Sequence, residues 1–259
     1  MKHSLSLIFL LTFNLCFAQS RVDTLINQLK QSDFGKIYSV QETIINSQKD
    51  AIPKLIELLK DTSFIKLQNT ADLIYPGADQ YYGHGWIVNY DIDWISSRAA
   101  WFLEEITFQN FGYRDLTINE AKLMNLHTQN YTREYLKKGY HDIDFKNMTP
   151  REQLKIFRLM LADSVSKWWD KNKNNWTRLT ALKDALSSND EQRQSLALHY
   201  LRFDKTLCDG LTIENYKAEL KPIVQLIKDS KNSQAEQAKY LLDDSEYYWF
   251  KVKTKKSGS

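Results

Sequence analysis

Two adjacent carboxylates, Glu104 and Glu105, are the first place to look for acid–base chemistry in this chain. Neighbouring side chains on an α-helix point about 100° apart. The pair therefore cannot close on one glycosidic bond as hydrolytic carboxylates do, and a solvated helix edge is the expectation. Asn89, Asp91 and Asp93 imitate the opening of a calcium loop. Trp94, however, stands where the sharp-turn Gly belongs and Ala100 where the bidentate Glu belongs, so helix capping is expected there instead. His84, between Gly83 and Gly85, has no second His or Cys at ligand spacing, and His141, Asp142 and Asp144 read as a solvated turn. The expectation is that the chain has no catalytic set, no metal and no cofactor.

Aromatic residues are the stronger lead. Tyr75, Tyr81, Tyr82, Trp86 and Tyr90 are interspersed with Asp72, Asp79 and Asp91. Amphipathic rings give large contact area at low entropic cost, so such a group suits a sugar face or a partner protein. The competing reading is that the rings fold onto neighbouring helices and cover them. Further on, KWWDKNKNNW at Lys167 to Trp176 holds Trp168 and Trp169. Adjacent on a helix, these two point apart, so at least one belongs in a core. Asn-x-Thr triplets start at Asn130, Asn147 and Asn175 and matter only in a glycosylating host.

The elements that position these residues are helical. From Asp91 to Gly112, Ile95, Ala99, Phe102 and Ile106 fall on one stripe, and Trp94, Trp101 and Phe108 recur every seventh residue on a second. A helix with two apolar edges needs neighbours on more than one side. Asp91 or Asp93 is placed to cap its start and Gly112 to stop its end. Helical spacing also covers Arg21 to Gln31, Phe34 to Ser47, Ala51 to Lys60, Thr117 to Lys138, Arg151 to Lys171, Trp176 to Leu186, Asp190 to Phe203, Ile213 to Lys228 and Ser233 to Leu242. Thr149, Pro150 and Glu152 form the pattern of a capping box with Pro at the first helical position. Between residues 61 and 92 periodicity collapses, leaving an insertion of a length often tied to function.

The opening residues read as a secretory signal over 1–18: Lys2, an apolar run from Leu5 to Leu15, then cleavage after Ala18. A lipoprotein reading through Cys16 is disfavoured by large Leu15 before it. The expected location is therefore outside the cytoplasm, periplasmic or secreted. No segment is long enough to span a bilayer. Cleavage would leave Cys208 as the lone cysteine, without an internal disulfide. The formal charge is +3, and it drops by one unit without Lys2. Much of the positive charge crowds residues 249–259, which read as a basic flexible tail. A body this close to neutral does not carry a nucleic-acid footprint. Only 4 Pro and 8 Gly in 259 residues favour an all-α chain.

A repeat decides the expected architecture. IELLKDT at Ile56 to Thr62 matches VQLIKDS at Val224 to Ser230 in chemical type, and LKDALSSND at Leu182 to Asp190 is a looser copy. Arg193, Ala197 and Tyr200 keep the spacing of Gln234, Ala238 and Leu241, 41 positions on. A period near forty with two helices per unit resembles the HEAT-repeat superfamily, as do Arg98-Ala99-Ala100 with Leu103, and Arg193 with Ala197. The resemblance covers about 51–110 and 177–243. The tetratricopeptide pattern, with its shorter period and Trp-Leu-Gly-Tyr signature, is not found. The resemblance implies an α-solenoid of stacked helix pairs over 19–248, interrupted by one aromatic insertion. It implies a concave ridge lined by Trp94, Arg98, Trp101 and Glu105, with Arg98 in cation–π reach of both tryptophans. Together with Tyr81, Tyr82, Trp86, Tyr90 and Asp91, these form the expected binding surface. The expected function is capture of another protein, as a scaffold, inhibitor or immunity-type module. The alternative is a carbohydrate-binding protein or carbohydrate-active enzyme that uses the aromatic and acidic insertion.

Overall fold

The computed structural model describes residues 22–70, 73–78, 85–114, 147–244 and 247–256. The expected signal segment, Asn130, Tyr81, Tyr82, His84, the one or two helices expected from Thr117 to Lys138 and the His141 group lie outside the described residues. The chain is mostly helical. Helix α1 covers 22–28, followed by α2 (Phe34–Asn46), a 3₁₀ turn (Gln48–Asp50), α3 (Ile52–Leu58) and α4 (Ile95–Thr107). After α4 come α5 (Pro150–Asn172), α6 (Arg178–Ser187) and α7 (Glu191–Phe203). Then follow the single turn α8 (Ile213–Asn215), a π-helical stretch (Tyr216–Leu220), α9 (Lys221–Lys228), α10 (Ala235–Asp243) and α11 (Tyr248–Lys256). Among the described residues no helix is long and apolar enough to cross a membrane.

Local chemistry accounts for the helix ends. Thr149 accepts from Glu152 N while the Glu152 carboxylate accepts from Thr149 N, closing the capping box that starts α5 with Pro150 in the first turn. Asp33 caps α2, Thr177 caps α6 and Asp190 caps α7. The start of α4 departs from the expectation. Its N-cap is Trp94, which makes no side-chain cap bond. Asp91 and Asp93 are turned to other partners. Its stop is also different, because Phe108 takes the left-handed conformation at φ 51° and closes the helix four residues before Gly112. Holding a bulky residue there costs on the order of 1 kcal/mol. A tilted contact between the Phe108 and Tyr200 rings, 5.2 Å between centroids, helps to hold it.

Consecutive helices pair. α3 packs on α4, α6 on α7, and α9 on α10; α4 then rests on α6, α6 on α9, and α7 on α10. Every residue of α4 except Glu105 is buried. A helix apolar on two sides sits inside the protein, and neighbours from α2, α3 and α6 surround this one. The expected insertion is an ordered loop where it is described. Residues 73–74 pair in parallel with 86–87, and Asp33 bridges to Gln68 and Phe64 to Trp94.

The C-terminal basic segment is not a loose tail up to residue 256. Its helix α11 buries Trp249 and Lys253. The Lys253 ammonium donates to the carbonyl of Tyr200 at 2.7 Å and to that of Asp204. These are acceptors that the end of α7 leaves open, and a cation is favoured at that end.

Candidate functional site

Several guanidinium groups reach backbone carbonyls or buried aromatic rings, and their placement reorganises the expected binding surface. Arg98 is fully buried. Its Nε donates to Ile92 O at 2.5 Å, its Nη1 to Leu29 O at 2.8 Å and Gln31 O at 2.7 Å, and its Nη2 to Ile65 O at 2.6 Å. It joins the end of α1, the insertion and the approach to α4, and faces no solvent. Burial pulls its pKa down to about 10, which leaves it charged near neutrality. The cations over the Trp94 ring are Arg158 at 4.6 Å and Arg151 at 5.4 Å, so the cation–π contact expected of Arg98 belongs to them. Arg178 stacks on Tyr200 at 4.5 Å and reaches Glu105 O, while Arg193 donates to Phe108 O.

Trp94 and Trp101 are buried with Arg98, so this side of α4 is core and not an open ridge. The two glutamates are not a solvated edge either. Glu104 is fully buried and accepts from Tyr90 OH at 2.5 Å and Phe111 N at 2.8 Å, with Arg114 Nε 3.5 Å away. Burial raises its pKa despite these partners. Glu105 is half-buried and turns the other way, accepting from Trp101 Nε1 at 2.5 Å and Gln41 Nε2 at 3.0 Å. Burial first, then the nearby Asp204 charge, push its carboxyl up to about 7. The carboxylates do diverge, as their adjacency on a helix requires.

A second polar centre lies under the insertion. Asp93 accepts from Leu67 N at 2.9 Å, Tyr75 OH at 3.0 Å and Lys66 Nζ at 3.1 Å, and Lys66 also donates to Gly77 O. The Lys66 ammonium thus takes up Asp93, one of the residues that resembled a calcium loop. Gly77 packs so close that an added Cβ would lie 2.6 Å from Asp93 Oδ2 and 2.8 Å from Asp91 Oδ1. Asp91 is half-buried and pairs with Arg158 at 3.7 Å. Burial raises its pKa, against the pull of Arg158. Among the described residues no group of three or more His, Cys, Asp or Glu side chains is placed to hold a metal ion.

What remains exposed is a small aromatic surface. Trp86 is 57% exposed and Ile87 70%, on the second strand of the insertion. Tyr38 on α2 meets Trp86 edge-on at 4.8 Å, with Phe34 6.0 Å from Tyr38. Of the expected binding residues that are described, Trp86 alone is largely exposed. Tyr90 is buried, with Arg114 5.0 Å over its ring. Sequence reasoning missed Tyr38 and Ile87. The signal available was their apolar character at positions that a short helix and a short strand leave outside their buried stripes.

Among the described residues, two surface hollows lie away from Glu105. One, of about 370 Å³, lies between α1 and α3 among compensated ion pairs such as Lys30 with Asp61 and Lys54 with Asp23. The other, of about 290 Å³, lies where α5 turns into α6. No protein-family model, no curated protein and no solved structure matches the chain.

Proposed function

We propose that this chain is an exported, HEAT-like helical-repeat module that binds another protein. The observation that carries the reading is the exposed pairing of Trp86 with Tyr38, flanked by Ile87, on a frame whose other large aromatics are mostly tucked in. Aromatic anchors raised on a rigid support are the usual centre of a binding surface, and apolar side chains grouped in this way favour contact over solvent. The helix pairs α3/α4, α6/α7 and α9/α10, each resting on the next, support the repeat reading. The contact surface moves accordingly from the buried face of α4 to the insertion and α2. The export reading rests on the opening residues of the sequence.

Affinity capture from the exported fraction of the native host tests this, with wild type beside Trp86→Ser and Tyr38→Ser. One stoichiometric protein retained by wild type and lost from both variants, with unchanged melting, supports the module. Equal retention by all three, or no retained protein, overturns it.

A further inference from the structure

The hollow between α5 and α6 has a different character from the aromatic patch. It is lined by Trp168, Trp176, Gln109, Asn175, Thr180 and Asp184, among others. Both rings are held in place by their neighbours. Trp168 lies edge-on to Phe111 at 5.1 Å and 6.0 Å from Trp169, and Trp169 lies edge-on to Trp176 at 5.9 Å. Trp169 fills the core behind them, while Trp168 stays half-buried at the hollow. The aromatic surface is therefore set before any ligand arrives.

The polar lining narrows the class of ligand. Gln109 and Asn175 contribute planar amides whose side chains are bound to no other side chain or carbonyl among the described residues. Asp184, two-thirds exposed, accepts from Arg193 through Oδ2, which leaves its second oxygen to accept from a ligand. Amides donate to and accept from neighbouring hydroxyls, a carboxylate accepts from them, and a rigid indole meets the C–H face of a sugar ring. Lys171 is the one cation in the lining, too few for a phosphate or an acidic peptide, which call for clustered Arg or Lys. A lipid tail is excluded by the number of polar groups. At about 290 Å³ the space is at the lower end for small-molecule sites and suits one or two rings.

We infer that this hollow is a binding site for a neutral pyranose saccharide of one or two rings, stacked at Trp168 and hydrogen-bonded by Gln109, Asn175 and Asp184. The site is separate from the Trp86 patch and does not depend on the protein-binding reading. A ligand this small in an open hollow binds with a dissociation constant on the order of 1 mM.

The test is titration of the full chain by calorimetry and tryptophan fluorescence. The protein is made in a non-glycosylating host, because Asn175 opens an Asn-Trp-Thr triplet. The probes are glucose, galactose, mannose, N-acetylglucosamine, maltose, cellobiose and chitobiose. Saturable binding of at least one is expected, weakened about tenfold or more by Trp168→Ala and several-fold by the double change Gln109→Ala with Asn175→Ala. The double variant alters no core residue and decides the matter if Trp168→Ala fails to fold. Trp86→Ser is expected to bind sugar as wild type does. No binding to any probe, or binding unchanged in the double variant, overturns the site.

Discussion

The Arg98 guanidinium donates to the carbonyl of Ile65 at 2.6 Å, and the same group holds Leu29, Gln31 and Ile92. One side chain in the first turn of α4 thus satisfies backbone acceptors from three separate stretches of chain. The bonds to Leu29 and Ile92 are buried, where water cannot stand in for the donor. Replacing Arg98 with Met is expected to destabilise the protein by about 3–5 kcal/mol in urea unfolding, because buried carbonyls lose their donor. Arg98→Lys should recover only part of this, since an ammonium cannot span the same four oxygens. A loss below about 1 kcal/mol for Arg98→Met would contradict the role assigned to it.

Glu105 should make stability depend on pH in the direction opposite to an ion-paired carboxylate. Its pKa rises from 4.5 when exposed to about 7 in the folded protein. The folded state therefore holds the proton more tightly than the unfolded one. The contribution is complete below pH 4.5 and is lost as pH climbs through 7. Glu105→Gln is expected to flatten the stability profile across that window by about 3 kcal/mol in total. Urea midpoints measured from pH 4 to pH 8 on both proteins give the comparison, and parallel profiles would refute the assignment.

Two tryptophans on neighbouring segments should behave in opposite ways. Trp101 is 8% exposed and donates to Glu105, whereas Trp86 is 57% exposed. Trp101→Ala should cost about 3–5 kcal/mol by opening a cavity. Trp86→Ser should stay within about 1 kcal/mol of wild type. Thermal melts of the two variants side by side check the contrast.

Cys208 should be chemically silent in the native state. Its side chain is fully buried and burial pushes the thiol up to about 12, so thiolate is scarce at neutral pH. Its backbone N–H is tied to Tyr200 OH at 2.7 Å. Labelling with a thiol-reactive chromophore should proceed at the rate of unfolding and become fast in denaturant. Rapid stoichiometric labelling of native protein would show the thiol to be exposed.

The local half of this architecture is legible in the sequence and the non-local half is not. Thr149, Pro150 and Glu152 announce the start of α5 because every partner in that cap lies within four residues. The two apolar stripes of α4 likewise foretell that it is enclosed. The fate of Arg98 was hidden, since its acceptors Leu29 and Gln31 lie 69 and 67 positions away and are main-chain atoms without a sequence signature. Glu104 and Glu105 read as a polar edge for the same reason. The groups that bury them, Tyr90, Phe111 and Gln41, arrive from other segments. Lys253 looked like one charge in a basic run, and only the position of α7 gives it a place inside. The tryptophans of residues 168–176 were visible as a cluster. That two of them border a hollow with Gln109 depended on how α4 meets α6.

Lys253 also sets an order in time. The carbonyl of Asp204 is made 49 residues before the ammonium that covers it. At ordinary synthesis rates that interval is roughly 2–10 s. Until then the C-terminal turn of α7 stands open to water, and its neighbour Tyr200 lacks the same cation. A chain interrupted anywhere before residue 253 keeps that opening permanently. Helix α11 therefore closes the C-terminal turn of α7 from a distance, and a copy lacking Lys253 leaves the carbonyls of Tyr200 and Asp204 to water.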